Sequence, residues 1–121
     1  MAVILIIDDS PTELHLFQTM LEKNGFGTLV ADNGEEGLRH ARSAHPDCIL
    51  MDVVMPGMNG FQATRRLTQD PETAEIPVII ITSKDQETDK IWGMRQGAVE
   101  YLVKPVSEQQ LVAKINAVMA A

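Results

Sequence analysis

The sequence predicts an α/β domain in which a parallel β-sheet carries helices on both faces. Short, continuous apolar runs recur along the chain and are bounded by turn-forming residues, which is typical of strands buried on both faces. The segments between these runs place apolar residues at the three- and four-residue spacing of amphipathic helices. The two patterns alternate about five times, and such alternation favours parallel strands joined by right-handed helical crossovers.

The first half of the chain contains three predicted strands and two predicted helices. A β-branched run at residues 3–7 stops at Asp8-Asp9, and the helix that follows has Ser10 as its N-cap and Gly25 as its C-cap. The second helix ends at His45-Pro46, because the residue before a proline avoids the helical conformation. The predicted ranges are 3–7, 11–24, 28–31, 35–44 and 47–51, and the inward-facing helix residues are Leu14, Phe17, Leu21, Leu38 and Ala41.

The second half continues the same alternation with three helices and two strands. Residues 78–81 are the most strand-like run of the chain, Gly97 marks the end of the fourth helix, and Ser107 is the N-cap of the fifth. The predicted ranges are 61–69, 78–81, 85–96, 98–103 and 108–119, and the inward-facing helix residues are Phe61, Thr64, Leu67, Thr68, Ile91, Met94, Leu111, Ile115 and Val118.

Length and composition restrict the possible functions. The 121 residues predict one domain, residues 1–121, without an effector domain. The formal net charge of −7 disfavours binding to nucleic acid or to an anionic membrane surface, because both interactions depend on Lys and Arg. No apolar stretch approaches the ~18 residues of a membrane span, and the single Cys48 rules out an internal disulfide. We therefore expect a cytoplasmic monomer that acts on another molecule.

Several polar residues that can carry chemistry follow directly after the predicted strands. The carboxyl ends of parallel strands meet at one edge of the sheet, where ligands bind in open α/β folds. Three clustered carboxylates repel one another unless a cation lies among them, and an open site of hard oxygen ligands suits Mg²⁺. A metal, an ammonium and a hydroxyl together can hold a phosphoryl group, with Asp52 as its nucleophile. The residues at these strand ends are Asp8, Asp9, Asp52, Thr82 and Lys104.

Four motifs make the chain resemble a CheY-like receiver domain of a bacterial two-component response regulator. They are Ile7-Asp8-Asp9-Ser10, Met51-Asp52 with Met55-Pro56-Gly57-Met58-Asn59-Gly60, Ile81-Thr82-Ser83, and Tyr101-Leu102-Val103-Lys104-Pro105. The resemblance covers nearly the whole chain and implies a doubly wound, flavodoxin-like five-stranded parallel sheet with the strand order 2-1-3-4-5. Residues 60–65 and 85–98 further resemble stand-alone regulators of the chemotaxis-like system for type IV pilus twitching motility.

The resemblance implies a phosphorylation site at Asp52, with a histidine kinase as the donor. Asp9 and the backbone carbonyl of Val54 would bind Mg²⁺ directly, Asp8 would act largely through metal-bound water, and Asp52 would complete the metal site. Lys104 would pair with Asp52 and with the phosphoryl oxygens. The protein would catalyse its own phosphorylation and dephosphorylation and would not be a conventional enzyme.

The resemblance also implies a conformational switch and a phosphoryl lifetime. Thr82 would donate its hydroxyl to the phosphoryl group, Tyr101 would move with Thr82, and the bond before Pro105 would be cis. A partner protein would then recognise a changed surface around the fourth helix and the fifth strand. Val54 lies two residues after Asp52, and Lys84 lies two residues after Thr82. Val54 offers no hydrogen bond to the attacking water, and Lys84 can shield the phosphoryl group. We therefore expect slower self-dephosphorylation than in CheY.

Three alternative functions remain open from sequence. A phosphate sink would accept the same phosphoryl group without an output partner, and nothing in the sequence distinguishes it from a messenger. A metal-dependent phosphatase of the haloacid-dehalogenase type also uses an aspartate nucleophile, but its Asp-X-Asp motif is disfavoured by the adjacent pair Asp8-Asp9. A flavodoxin would need a hydroxyl-rich loop after the first strand, where these two carboxylates would repel the flavin phosphate.

Overall fold

The computed structural model describes residues 1–120, in which five strands alternate with five helices. In chain order the elements are β1 (Val3–Ile7), α1 (Pro11–Lys23), β2 (Gly27–Ala31), α2 (Gly34–Ala44), β3 (Cys48–Met51), α3 (Gly60–Gln69), β4 (Val78–Thr82), α4 (Glu87–Arg95), β5 (Glu100–Val103) and α5 (Glu108–Ala120). Within this part of the chain, the helices are too short and too polar for any of them to cross a bilayer.

All neighbouring strands are parallel, and they lie in the order β2-β1-β3-β4-β5. This arrangement confirms the doubly wound, flavodoxin-like sheet that the sequence predicts. The register aligns Ile7 with both Ala31 and Met51, and aligns Thr82 with Val103. The carboxyl ends of the strands therefore form one continuous edge.

The sheet separates two apolar cores, because successive side chains of a strand point to opposite faces. Leu5 and Ile7 pack in the core that α2 and α3 cover, together with Leu38, Ala41 and Leu67. Ile4 and Ile6 pack in the core that α1 and α5 cover, where the helices contribute Phe17, Leu21, Leu111 and Ile115. Helices on both faces explain why the strand sequences are continuously apolar.

The helix ends differ from the predicted bounds by a residue or two, because asparagine side chains cap three of them. Asn33 and Asn59 accept hydrogen bonds from the N–H groups of Glu36 and Gln62 at 2.8 and 2.9 Å, so α2 and α3 begin at Gly34 and Gly60. The prediction of Gly25 as the C-cap of α1 is wrong. Asn24 is the cap, and Gly25 follows it with a φ of +87°.

Helix α4 is shorter than predicted and presents a different face to the sheet. The prediction that Ile91 and Met94 point inward is wrong, since they are 47% and 41% exposed. Gly93 is the buried residue of the helix, and a Cβ placed there would lie 2.9 Å from Ile80 and 3.0 Å from the Tyr101 ring. The glycine lets α4 approach the sheet closely, and this orientation turns the larger apolar side chains outward.

Candidate functional site

The edge formed by the carboxyl ends of the strands brings together the residues that the sequence places at strand ends. Asp52 follows β3, and its N–H donates to the Ile7 carbonyl at 3.0 Å, next to the point where Asp8 and Asp9 leave β1. The Lys104 N–H donates to the Thr82 carbonyl at 2.9 Å, which joins the ends of β4 and β5. Residues far apart in sequence thus share one site because parallel strands align their ends.

Three carboxylates form the centre of the site. One oxygen from each of Asp8, Asp9 and Asp52 can be chosen so that all three lie within 4.8 Å of one another. Asp8 is 2% exposed and Asp52 is 9% exposed, whereas Asp9 faces solvent. Such a set of hard oxygen donors, open to water on one side, fits a divalent cation of the Mg²⁺ type. Val54 lies two residues beyond Asp52, with an exposed side chain.

Glycine at position 60 lets the loop after β3 fold back beneath the phosphoacceptor candidate. The Gly60 N–H donates to the Val53 carbonyl at 3.0 Å, and a Cβ at position 60 would overlap the backbone carbonyl of Asp52. Gly57, in the same loop, has a φ of +74°, which favours glycine for a different reason. The loop conformation therefore depends on both glycines, and Gly60 fixes the backbone of Asp52.

The Lys104 ammonium contacts three carboxylates and is not paired chiefly with Asp52. Its Nζ lies 3.0 Å from Asp8 Oδ2, 3.3 Å from Glu13 Oε1 and 3.8 Å from Asp52 Oδ1. It also lies 5.9 Å from the centre of the Phe17 ring. The Lys104–Pro105 peptide bond is cis, the isomer that the family resemblance implies.

Sequence reasoning missed Glu13 as a member of this site. It treated Glu13 only as an acidic residue in the first turn of α1, where it favours the helix. A usable signal was present, because α1 begins at the edge of the sheet and Glu13 lies four residues after Asp9. The carboxylate of a first-turn residue can reach back over the strand ends.

The surroundings perturb the acid–base properties of Asp52 and Lys104 in the same direction. Burial raises the pKa of Asp52, and the Asp8 charge raises it further, against the opposing effects of Lys104, the Val53 N–H and the Thr82 hydroxyl. Burial alone would lower the pKa of Lys104, but its hydrogen bond with Asp8 and the nearby negative charges outweigh burial and raise it. The site thus combines a carboxyl group that resists ionisation with an ammonium group that stays protonated.

Thr82 and Tyr101 both contact the backbone of Lys84 in the loop after β4. The buried Thr82 hydroxyl accepts a hydrogen bond from the Lys84 N–H at 3.4 Å. The Tyr101 side chain is also buried, and its hydroxyl donates to the Lys84 carbonyl at 2.8 Å. Burial, followed by the charges of Asp89, Asp85 and Asp52, raises the pKa of Tyr101 to about 12, so the phenol remains a donor. The position of this loop is therefore linked to both side chains.

A cleft of about 470 Å³ lies between α4 and the loops that follow β3 and β4. The exposed side chains of Val54 and Trp92 line it, and so does Lys84, whose Nζ lies 3.8 Å from Asp89. Ser83, next to Thr82, is exposed and small. Val54 and Lys84 thus line the same cleft.

Comparisons with known proteins agree with this geometry. Residues 4–116 match the model of the response regulator receiver domain. The chain is 62% identical to Protein PilH of Pseudomonas aeruginosa over 99% of each sequence. It superposes on the chemotaxis protein CheY4 of Vibrio cholerae with a TM-score of 0.92 and 30% identity, covering 98% of each chain.

A second solved structure bears on the carboxylate cluster. The receiver domain of the sensor histidine kinase PA1611 from P. aeruginosa has a magnesium ion coordinated in its active-site cleft, and it matches this chain with a TM-score of 0.92 and 25% identity over 99% of this chain and 98% of its own. The predicted resemblance to CheY-like receivers and to PilH is confirmed. Since the family model spans nearly all of the sequence, the chain belongs to the family of response regulator receiver domains.

Proposed function

We propose that this protein is a stand-alone signalling switch that accepts a phosphoryl group from a histidine kinase onto Asp52. The observation that carries the proposal is the position of Asp52, which is nearly buried, lies within 4.8 Å of two other acids and is 3.8 Å from an ammonium. This arrangement suits a carboxylate nucleophile better than a structural ion pair, because the negative charges outnumber their partners.

The proposed reaction is an in-line displacement at phosphorus. A carboxylate oxygen of Asp52 forms a bond to phosphorus while the bond to the donor's histidine nitrogen breaks, and the nitrogen keeps the electron pair. Asp8, Asp9, Asp52 and the Val54 carbonyl would hold Mg²⁺, and the ion would supply positive charge to neutralise the phosphoryl oxygens. The open side of the site, next to the small Ser83, leaves room for the donor.

Lys104 and Thr82 then stabilise the product. The Lys104 side chain is flexible, and its Nζ already lies 3.8 Å from Asp52 Oδ1, so it would reach an oxygen of a phosphoryl group on Asp52. The Thr82 hydroxyl, one of the groups that oppose the rise in the pKa of Asp52, would donate to the same phosphoryl group. Both residues act on charge that is present only after transfer.

Output is proposed to pass through the loop after β4. When the Thr82 hydroxyl turns to the phosphoryl group, its contact with the Lys84 N–H is lost, and the Tyr101 hydroxyl that holds the Lys84 carbonyl must adjust. This shifts an existing equilibrium of the loop and of α4. The partner would recognise the α4 and β5 surface, where Trp92 and Val103 are exposed.

The similarity to PilH supports a more specific setting. The identity of 62% is measured over 99% of both chains, so the likeness is not confined to one segment of the domain. Together with the resemblance to regulators of type IV pilus twitching, it supports a role in that chemotaxis-like system. The receiver family match favours this switch over the phosphatase and flavodoxin alternatives.

The test is incubation with acetyl phosphate, with and without Mg²⁺, followed by intact mass measurement. We expect one phosphoryl adduct that requires the metal and is absent from Asp52→Asn. Asp32→Asn is the matched control, because Asp32 is an exposed acid that follows β2 at the same edge of the sheet. An adduct on Asp52→Asn, or equal labelling without metal, would contradict the proposal.

A further inference from the structure

The ammonium of Lys104 is held from the side of α1 as well as by the strand-end acids. Glu13 Oε1 lies 3.3 Å from Nζ, closer than Asp52 Oδ1 at 3.8 Å. The Phe17 ring, one helical turn beyond Glu13, lies 5.9 Å from the same nitrogen. The Lys104 side chain is only 17% exposed, so few waters compete with these contacts.

Glu13 stands apart from the other acids that Lys104 contacts. The three acids that can surround a cation are Asp8, Asp9 and Asp52, and Glu13 is not a member of that cluster. Its partner is the ammonium, which carries three hydrogens and can serve Asp8 and Glu13 together. Nζ lies closer to Glu13, at 3.3 Å, than to Asp52, at 3.8 Å, so Glu13 competes with Asp52 for the ammonium.

We infer that Glu13 is a positioning residue that draws the Lys104 ammonium toward α1 in the unphosphorylated protein and so opposes its transfer to the phosphoryl group. This inference rests on the proposed function, because it assigns Lys104 to the product. Phosphorylation of Asp52 strengthens the competing attraction, and Lys104 then leaves Glu13. The first turn of α1 consequently gains an unpaired carboxylate in the phosphorylated state.

Loss of the Glu13 charge should ease that transfer. An ion pair of this partial exposure changes an equilibrium by about two- to fivefold. For Glu13→Gln we therefore expect beryllofluoride, used as the phosphoryl mimic at saturating Mg²⁺, to bind about two- to fivefold more tightly than to wild type. The rate of labelling by acetyl phosphate should rise by a similar factor.

Two further variants separate direct contact from a general effect of charge. Glu13→Asp keeps the charge but shortens the side chain by one methylene, so it should behave like Glu13→Gln. Glu35→Gln removes an exposed acid from the first turn of α2, and among residues 1–120 Glu35 takes part in no ion pair. This variant should bind beryllofluoride as wild type does. Unchanged binding in Glu13→Gln, or a wild-type response of Glu13→Asp, would overturn the inference.

A double-mutant cycle tests the contact without any phosphoryl transfer. Urea unfolding of wild type, Glu13→Gln, Lys104→Met and the double variant in chelator should give a coupling of about two- to fivefold in the folding equilibrium constant. Zero coupling overturns the role of Glu13 even where Asp52 is labelled normally. Normal coupling in a protein that takes no phosphoryl adduct overturns the proposed function instead, and with it the consequence drawn for Lys104.

Discussion

Replacement of Asp52 by Asn is expected to stabilise the metal-free protein. Burial and then the Asp8 charge raise the pKa of Asp52 above its usual range. For an acid whose pKa is raised on folding, the associated stability is present below the unfolded pKa and is lost as the pH rises through the folded pKa. At neutral pH the ionised Asp52 therefore lowers the free energy of unfolding, and an asparagine of the same shape removes that cost.

The magnitude follows from the distances in the site. With an effective dielectric constant of about 20, a like charge at the upper limit of 4.8 Å costs about 3.5 kcal/mol, and the Lys104 charge at 3.8 Å returns about 4 kcal/mol. Asp8 and Asp9 both repel Asp52, although the exposure of Asp9 weakens its contribution. Together with the desolvation of Asp52, the net gain for Asp52→Asn is about 1–3 kcal/mol.

The substitution does not leave Lys104 without partners. Its contacts with Asp8 at 3.0 Å and with Glu13 at 3.3 Å are shorter than its contact with Asp52, and both remain. Removal of one partner from a buried pair is strongly destabilising only where the other charge is left uncompensated. For 121 residues, a gain of about 1–3 kcal/mol corresponds to a rise in melting temperature of about 4–12 °C.

Calorimetry in chelator measures this rise. The difference between wild type and Asp52→Asn should shrink as the pH is lowered through the folded pKa of Asp52, because the wild-type carboxyl then becomes neutral. Saturating Mg²⁺ should stabilise wild type more than the variant, since one metal ligand is lost. Asp32→Asn, at the same edge of the sheet, controls for net charge. An unchanged or lower melting temperature of Asp52→Asn in chelator would refute the crowding of the three acids.

Three further predictions concern the loops around Asp52. Gly60→Ala should lower the free energy of unfolding by about 3 kcal/mol or more, because its Cβ overlaps the Asp52 carbonyl. Gly57→Ala, with no atom within 4 Å of its Cβ, should lower it by only about 1–2 kcal/mol. Equal losses of the two variants in urea unfolding would contradict this reasoning. Tyr101→Phe removes the hydrogen bond to the Lys84 carbonyl and should lower the free energy of unfolding by about 1 kcal/mol. An unchanged urea midpoint would show that this bond contributes nothing to stability. Val54→Asn and Lys84→Ala should each shorten the phosphoryl lifetime severalfold, measured by intact mass after donor removal, and a longer lifetime in either would argue against shielding.

The sheet and its edge could be predicted because the signals are local and repeated. Each strand is a short apolar run, and each of the runs at 3–7 and 47–51 stops abruptly at a carboxylate. Parallel alternation then places the ends of these runs side by side without further information. The helix starts were less accurate, because Asn33 and Asn59 cap α2 and α3 from positions that the sequence pattern assigns to turns.

The face of α4 could not be predicted, because its apolar residues do not favour one side. Ile91 and Met94 have helical spacing, yet Trp92 is also apolar and lies between them. The deciding residue is Gly93, whose lack of a side chain allows close contact with Ile80 and with the Tyr101 ring. Side-chain size at the point of closest approach outweighed the apolar pattern, and the sequence alone does not show where that point lies.

The partners of Lys104 illustrate a second limit of sequence reasoning. Strand ends predict that Lys104 reaches the acids, and it does so, but its distances to Asp8, Glu13 and Asp52 are 3.0, 3.3 and 3.8 Å. Differences of less than 1 Å among three acceptors depend on how α1 packs against the sheet, which Phe17 and the apolar residues beneath it determine. A flexible ammonium can exchange such acceptors at small cost. The packing that determines the resting partner of Lys104, and that sequence reasoning does not reveal, would on the proposed function also let Lys104 respond to a new charge on Asp52.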